Sequence, residues 1–184
     1  AAEKGHVDVV KVLIENGAEV NAVDNEKETA LHIAAEKGHV DVAKVLIEND
    51  ADVNAETTGK WTALHLAAYN GHADVAKVLI ENGADVNAVQ KYKYTALHIA
   101  AEKGHVDVVK VLIENGAEVN AVDNQKWTAL HFAAKEGHVD VAKVLIENGA
   151  DVNAVEEWNK TALHLAAEKG HVDVAKVLIE NGAR

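Results

Sequence analysis

The chain repeats itself every 33 residues, and that period limits its fold more than any other property. Thr-Ala-Leu-His begins at Thr29, Thr62, Thr95, Thr128 and Thr161. Gly-His recurs in phase from Gly5 to Gly170, and Val-Leu-Ile-Glu-Asn from Val12 to Val177. A unit this short cannot bury an apolar face alone, so copies must stack into a solenoid with a continuous core. The expected organisation is a single domain over 1–184: a partial copy at 1–22, then units at about 23–55, 56–88, 89–121, 122–154 and 155–184.

One unit shows how the pattern becomes structure. Thr29 suits a helix N-cap, and Ala30 to Lys37 make a short apolar helix stopped by Gly38 at the left-handed C′ position. Asp41, Val42, Ala43, Val45, Leu46 and Ile47 follow with i, i+3, i+4 spacing, a second helix with one buried face. Asp41 lies near the N-terminus of that helix, where the macrodipole favours a negative charge. Val-Asn-Ala and six variable residues then form an extended turn, a finger, leading to the next Thr.

These motifs together, T-A-L-H-x-A-A-x-x-G-H, V-L-I-E-N-G-A and V-N-A at a fixed period over the whole chain, resemble the ankyrin repeat family. The resemblance implies an all-α, ankyrin-repeat solenoid of stacked helix-turn-helix units with β-hairpin-like fingers. In that family the fingers and first helices line a concave groove. The near-identity of the copies further resembles designed ankyrin repeat proteins, in which a fixed framework carries chosen variable positions. Three departures stand out. The family's Pro after Thr is Ala at Ala30, Ala63, Ala96, Ala129 and Ala162, where Pro would suit the first helical position. Its finger glycine is replaced by Lys27, Lys60, Lys93, Lys126 and Asn159; if that position needs positive φ, each Lys costs roughly 1 kcal/mol. Asp50 stands where other copies have Gly17, Gly83, Gly116, Gly149 and Gly182, which predicts a weaker helix cap.

Aligned copies expose the variable columns: the fingers (23–28, 56–61, 89–94, 122–127, 155–160) and the ends of the first helices (36–37, 69–70, 102–103, 135–136, 168–169). Six of the seven aromatic residues fall there: Trp61, Tyr69, Tyr92, Tyr94, Trp127 and Trp158. Phe132 alone sits in a column otherwise filled by Ile33, Leu66, Ile99 and Leu165, a core position. Trp and Tyr bring large contact area at low entropic cost and dominate interface hot spots. Rings one unit apart would lie roughly 10 Å from each other, enough for a patch of about 800 Å². A core column would not accept Trp, Tyr, Glu28 and Lys160 in turn, so the rings are read as contact residues rather than as packing between fingers. The candidate protein-binding set is Trp61, Tyr69, Asn70, Lys91, Tyr92, Tyr94, Gln125, Trp127, Lys135, Trp158 and Lys160.

Charge narrows the partner. The chain carries a net charge of −12, which argues against nucleic acid and anionic membranes as partners. In the fingers and first-helix ends of the four later copies, eight Lys stand against seven Asp and Glu, giving 8 − 7 = +1. A neutral to mildly acidic epitope with an apolar centre is therefore expected.

Chemistry finds few parts. Neither Cys nor Ser occurs, which removes the usual nucleophiles, disulfides and thiolate metal sites. The eleven His fall in two columns, His32 to His164 and His6 to His171. Columns repeating at roughly 10 Å cannot converge on an ion that needs ligands at about 2.0–2.1 Å. A Thr–His dyad present in five identical copies reads as a structural bond, since active sites are unique constellations. No enzyme, metal or cofactor is expected.

The fullest reading is an engineered, non-enzymatic scaffold that binds a protein through finger and first-helix residues on a concave face. A natural ankyrin scaffold or effector, and an unselected repeat stack without a partner, stay open as alternatives. Pro, Met and Cys are absent, and Arg occurs once, at Arg184, which favours a synthetic or regularised sequence. No leader or membrane span is legible, so the expectation is a soluble, recombinant chain compatible with a cytoplasm. The partial first copy and apolar last helix leave two readings open: capping segments missing from this chain, or end-to-end self-association through uncapped terminal repeats.

Overall fold

The computed structural model describes all residues, 1–184, as eleven α-helices with no strand. The first helices of the units are α2 (Ala30–Lys37), α4 (Ala63–Asn70), α6 (Ala96–Lys103), α8 (Ala129–Glu136) and α10 (Ala162–Lys169). The second helices are α1 (Val7–Glu15), α3 (Val40–Glu48), α5 (Ala73–Glu81), α7 (Val106–Glu114), α9 (Val139–Glu147) and α11 (Val172–Glu180). First helices pack on first helices in a row, second helices on second helices, and each pair packs on itself.

Local chemistry fixes the ends of these helices. The Thr29 hydroxyl accepts the His32 N–H at 3.3 Å, and the Thr29 N–H donates to His32 Nδ1 at 3.0 Å. This is a reciprocal capping box with His in place of the usual Glu or Gln. The same box opens α4, α6, α8 and α10. Each first helix ends at a left-handed glycine such as Gly38, φ 78°. Each second helix ends in a Schellman arrangement: the Asp50 N–H donates to Ile47 O at 3.1 Å and the Ala51 N–H to Leu46 O at 3.0 Å.

That arrangement requires positive φ at its C′ residue. The glycines there sit at φ 91–93°, and Asp50 is forced to 69°. Asp50→Gly is therefore expected to stabilise the chain by about 1 kcal/mol, a rise of about 2–4 °C in melting temperature. An unchanged or lower midpoint in a thermal scan would show that the Asp side chain compensates for its own strain.

The core is aliphatic. Leu31, Leu64, Leu97 and Leu130 from first helices and Leu79, Leu112, Leu145 and Leu178 from second helices are fully buried, each stabilising by roughly 1.5–3 kcal/mol. Alanine pairs such as Ala34–Ala35 and Ala67–Ala68, with no exposed surface, let adjacent first helices approach closely. Phe132, 6% exposed, joins the buried set as its column predicts.

Three hydrogen-bonded ladders run from unit to unit. Buried His32 accepts at Nδ1, so its proton sits on Nε2, which reaches Ala55 O at the end of its own unit and Trp61 O in the next, both at 3.0 Å. The other His column points backwards: His39 Nε2 donates to Glu3 O at 2.9 Å and His138 Nε2 to Glu102 O at 2.9 Å. Asn21 bridges by both ends of its amide, donating to Asp50 O at 3.0 Å and accepting the Asp52 N–H at 2.8 Å. Asn54, Asn87, Asn120 and Asn153 repeat the bridge. Apolar side chains remain exposed on the outermost helices, Val9, Val12 and Leu13 on α1 and Val172 and Ile179 on α11.

Candidate functional site

The fingers are tight turns rather than strands. In the first, the Lys27 N–H donates to Asp24 O and the Asp24 N–H to Glu28 O, both at 3.1 Å. Lys27, Lys60, Lys93, Lys126 and Asn159 all adopt positive φ, 59–64°, so the finger position does carry the strain that its missing glycine would relieve. One backbone bond joins each finger to the next: Thr58 N–H to Glu26 O, Lys91 to Gly59, Asn124 to Tyr92 and Glu157 to Gln125.

A framework residue lies hidden among the variable ones. Asp123 Oδ1 accepts the N–H groups of Gln125 and Trp127, both at 2.8 Å, and Glu156 Oε1 accepts those of Trp158 at 3.0 Å and Lys160 at 2.8 Å. Asp24 does the same, Thr57 accepts from Trp61, and Gln90 accepts from Tyr92. Gln90, Asp123 and Glu156 are buried. The column mixes Asp, Thr, Gln and Glu, which hides it from pattern matching; all its members are oxygen acceptors, and that was the signal available.

The aromatic set divides in two. Tyr69, Tyr92 and Trp158 are 44%, 55% and 66% exposed. Trp61, Tyr94 and Trp127 are half-buried. Trp61 and Tyr94 pack against the core. Trp61 lies edge-on to His65 at 5.9 Å and to Tyr69 at 6.0 Å. Tyr94 meets Phe132 edge-on at 5.4 Å, and the Trp127 ring lies 5.0 Å from Phe132. Partial packing between units is thus a property of this column after all. It tolerates Glu28 and Lys160 because the long stems of such side chains can cover the same surface with their charges in water. The Trp127 Nε1–H is buried and meets no acceptor within the chain.

The polar members of the set lie on the same side. Asn70 donates to Leu66 O at 2.9 Å and shares one pocket of about 400 Å³ with Trp61 and Tyr69. Tyr92, Tyr94 and Gln125 line a second of about 330 Å³. Lys91 Nζ lies 5.6 Å from the Tyr92 ring centroid, Lys135 Nζ 5.7 Å from Trp127 and Lys103 Nζ 4.6 Å from Tyr69. Lys160 is tied to Glu168 at 2.8 Å, which holds the carboxyl below and the ammonium above its ordinary value.

Burial depresses the basicity of His32, His98 and His131 and takes His65 down to about 4, so these rings stay neutral in the fold. Their nitrogens are engaged in the capping boxes and ladders. No three His, Asp or Glu side chains gather around a common point that could hold a metal ion.

Models of ankyrin repeats match residues 50–123, 84–156 and 121–184 as three-copy arrays, and residues 1–47 as a many-copy array. The chain belongs to the ankyrin repeat family. No curated protein matches it. Ankyrin repeats are generally protein–protein interaction modules and typically act as non-enzymatic binding scaffolds. No helix of this ankyrin chain is long and apolar enough to cross a membrane.

Proposed function

We propose that this ankyrin chain is a non-enzymatic scaffold that grips a protein partner with the face made by its fingers and first-helix ends. One observation carries the reading: Tyr69, Tyr92 and Trp158, the exposed aromatic rings, all stand on fingers or at a first-helix end. Large exposed rings cost little entropy to immobilise and exclude water over a wide area, which is what a protein contact requires. The ladders between units hold the backbone beneath them, so the rings are presented with little ordering left to do on binding. The regularised composition, with no Ser, Pro, Cys or Met, supports an engineered framework carrying chosen contact residues.

The triple variant Tyr69→Ala, Tyr92→Ala, Trp158→Ala tests this. Exposed truncations change stability by about 0.5 kcal/mol or less each. Loss of a hot-spot cluster costs at least about 2 kcal/mol, roughly thirtyfold in affinity. The variant should keep its helical spectrum and melting midpoint and lose its partner. A photo-crosslinking residue at Tyr92 should capture that partner, while one at exposed Lys110 on α7 should not. Preferential capture from Lys110 would move the site to the opposite face and end the proposal.

A further inference from the structure

The finger face does not carry one sign of charge throughout. The four later copies sum to a slight positive excess, but the first finger and the end of α2 contribute Asp24, Glu26, Glu28 and Glu36 against Lys27 and Lys37. Three of those carboxylates line the pocket of about 400 Å³ between the first two fingers, whose other walls include Trp61, Tyr69 and Asn70. Trp61 and Tyr69 meet there edge to face, their planes inclined at 69°.

Two of the three carboxylates lack a counter-charge within the chain. The single ion pair touching them is the contact of Lys37 with Glu36 at 4.0 Å, between exposed side chains. Glu26 and Glu28 have no ion-pair partner. Burial, then the fields of Asp24, Glu36 and Glu26, raise the Glu28 carboxyl above its usual range. The rings tell the same story independently. Tyr69, Tyr92 and Trp127 each have a lysine of this chain over or beside them. Trp61, Tyr94 and Trp158 have none, and of these three Trp61 is the ring that lines the acidic pocket. Lys103, which approaches Tyr69, does not line the pocket.

We infer that this pocket receives an arginine side chain of the protein partner, its guanidinium stacked on Trp61 and forked onto the carboxylates of Glu28 and Glu36. This deepens the proposed function and rests on it, because the pocket belongs to the same face. Guanidinium is preferred over ammonium on shape and hydration. The pocket is far larger than a compact ammonium. A planar, weakly hydrated cation can cover an aromatic ring while its edge donates two parallel hydrogen bonds to a carboxylate. Asn70 uses its amide nitrogen on Leu66 O, which leaves its oxygen as a further acceptor.

The probe is N-acetyl-arginine methylamide, with the neutral isostere N-acetyl-citrulline methylamide as control. The Trp61 indole N–H resonance reports binding, and that of Trp158 serves as a reference within the protein. The Trp61 signal should move saturably with the arginine probe, with an affinity about tenfold above that for citrulline. Glu28→Gln and, separately, exposed Glu26→Gln should each weaken arginine binding about threefold or more, and high salt should do the same. Equal binding of the two probes overturns the inference, as does an arginine response that ignores both substitutions. Both variants remove like-charge repulsion, so neither threatens the fold. The broader reading is judged separately, by crosslinking from Tyr92 and by the triple aromatic variant, neither of which depends on arginine.

Discussion

Gly104→Ala is expected to destabilise the stack by about 3 kcal/mol, whereas Gly170→Ala, the same change at the equivalent position two copies on, should cost about 1 kcal/mol. Both glycines have the same backbone, φ 76° and 74°. They differ in what a methyl group would meet. At Gly104 an added Cβ falls 2.7 Å from the His138 ring; at Gly170 nothing lies within 4 Å. The ring cannot simply swing away, because His138 Nε2 is bonded to Glu102 O at 2.9 Å. The Gly170 variant thus isolates the conformational cost, and the excess at Gly104 measures the clasp between units. Denaturant midpoints of the two variants decide the matter. Equal losses would mean that the ring yields freely and that the His column contributes little.

Acid should weaken the fold well before ordinary carboxylate titration would explain it. His65 has an unfolded value of 6.5 and is held to about 4 by burial. Between those limits the unfolded chain binds the proton more readily, so stability falls as pH drops from 6.5 towards 4 and is flat with respect to this group below that. For His65 the difference corresponds to about 3 kcal/mol. His32, His98 and His131 are shifted in the same direction and add to the loss. Glu28 works the other way: its raised folded value means that protonation relieves the native state, a partial offset in the acid range. Thermal midpoints recorded from pH 7 to pH 4.5 should fall steadily. A flat profile, or a His65 ring that titrates near 6.5 by NMR, would contradict the neutral, doubly bonded imidazole on which the ladder depends.

Much of the fold was legible because its determinants are short in sequence and repeated. Thr followed three residues later by His, a glycine after eight helical residues, and Asn-Gly after the second helix each act within one turn of helix. Phe132 could be placed in the core from its aliphatic column. The ladders were not legible partner by partner. They join atoms 23 to 36 residues apart, and the same His or Asn could equally have faced solvent. The candidate face was legible as a set of columns but not in its depth. Trp61, Tyr94 and Trp127 share their position with Glu28 and Lys160, and a half-buried site accepts both kinds of side chain. The turn-capping role of Gln90, Asp123 and Glu156 lies in the hydrogen-bonding capacity that their column shares, which residue identity alone does not show.

Every clasp described above, from imidazole, amide or finger backbone, reaches the adjacent unit and goes no further. A change made at one position therefore dies out within a neighbour or two. The five fingers behave as separately tunable sites on a common rail: what is altered at Trp158 leaves the pocket beside Trp61 untouched. Under the proposed function, specificity on such a surface can be assembled piecewise along the row of fingers.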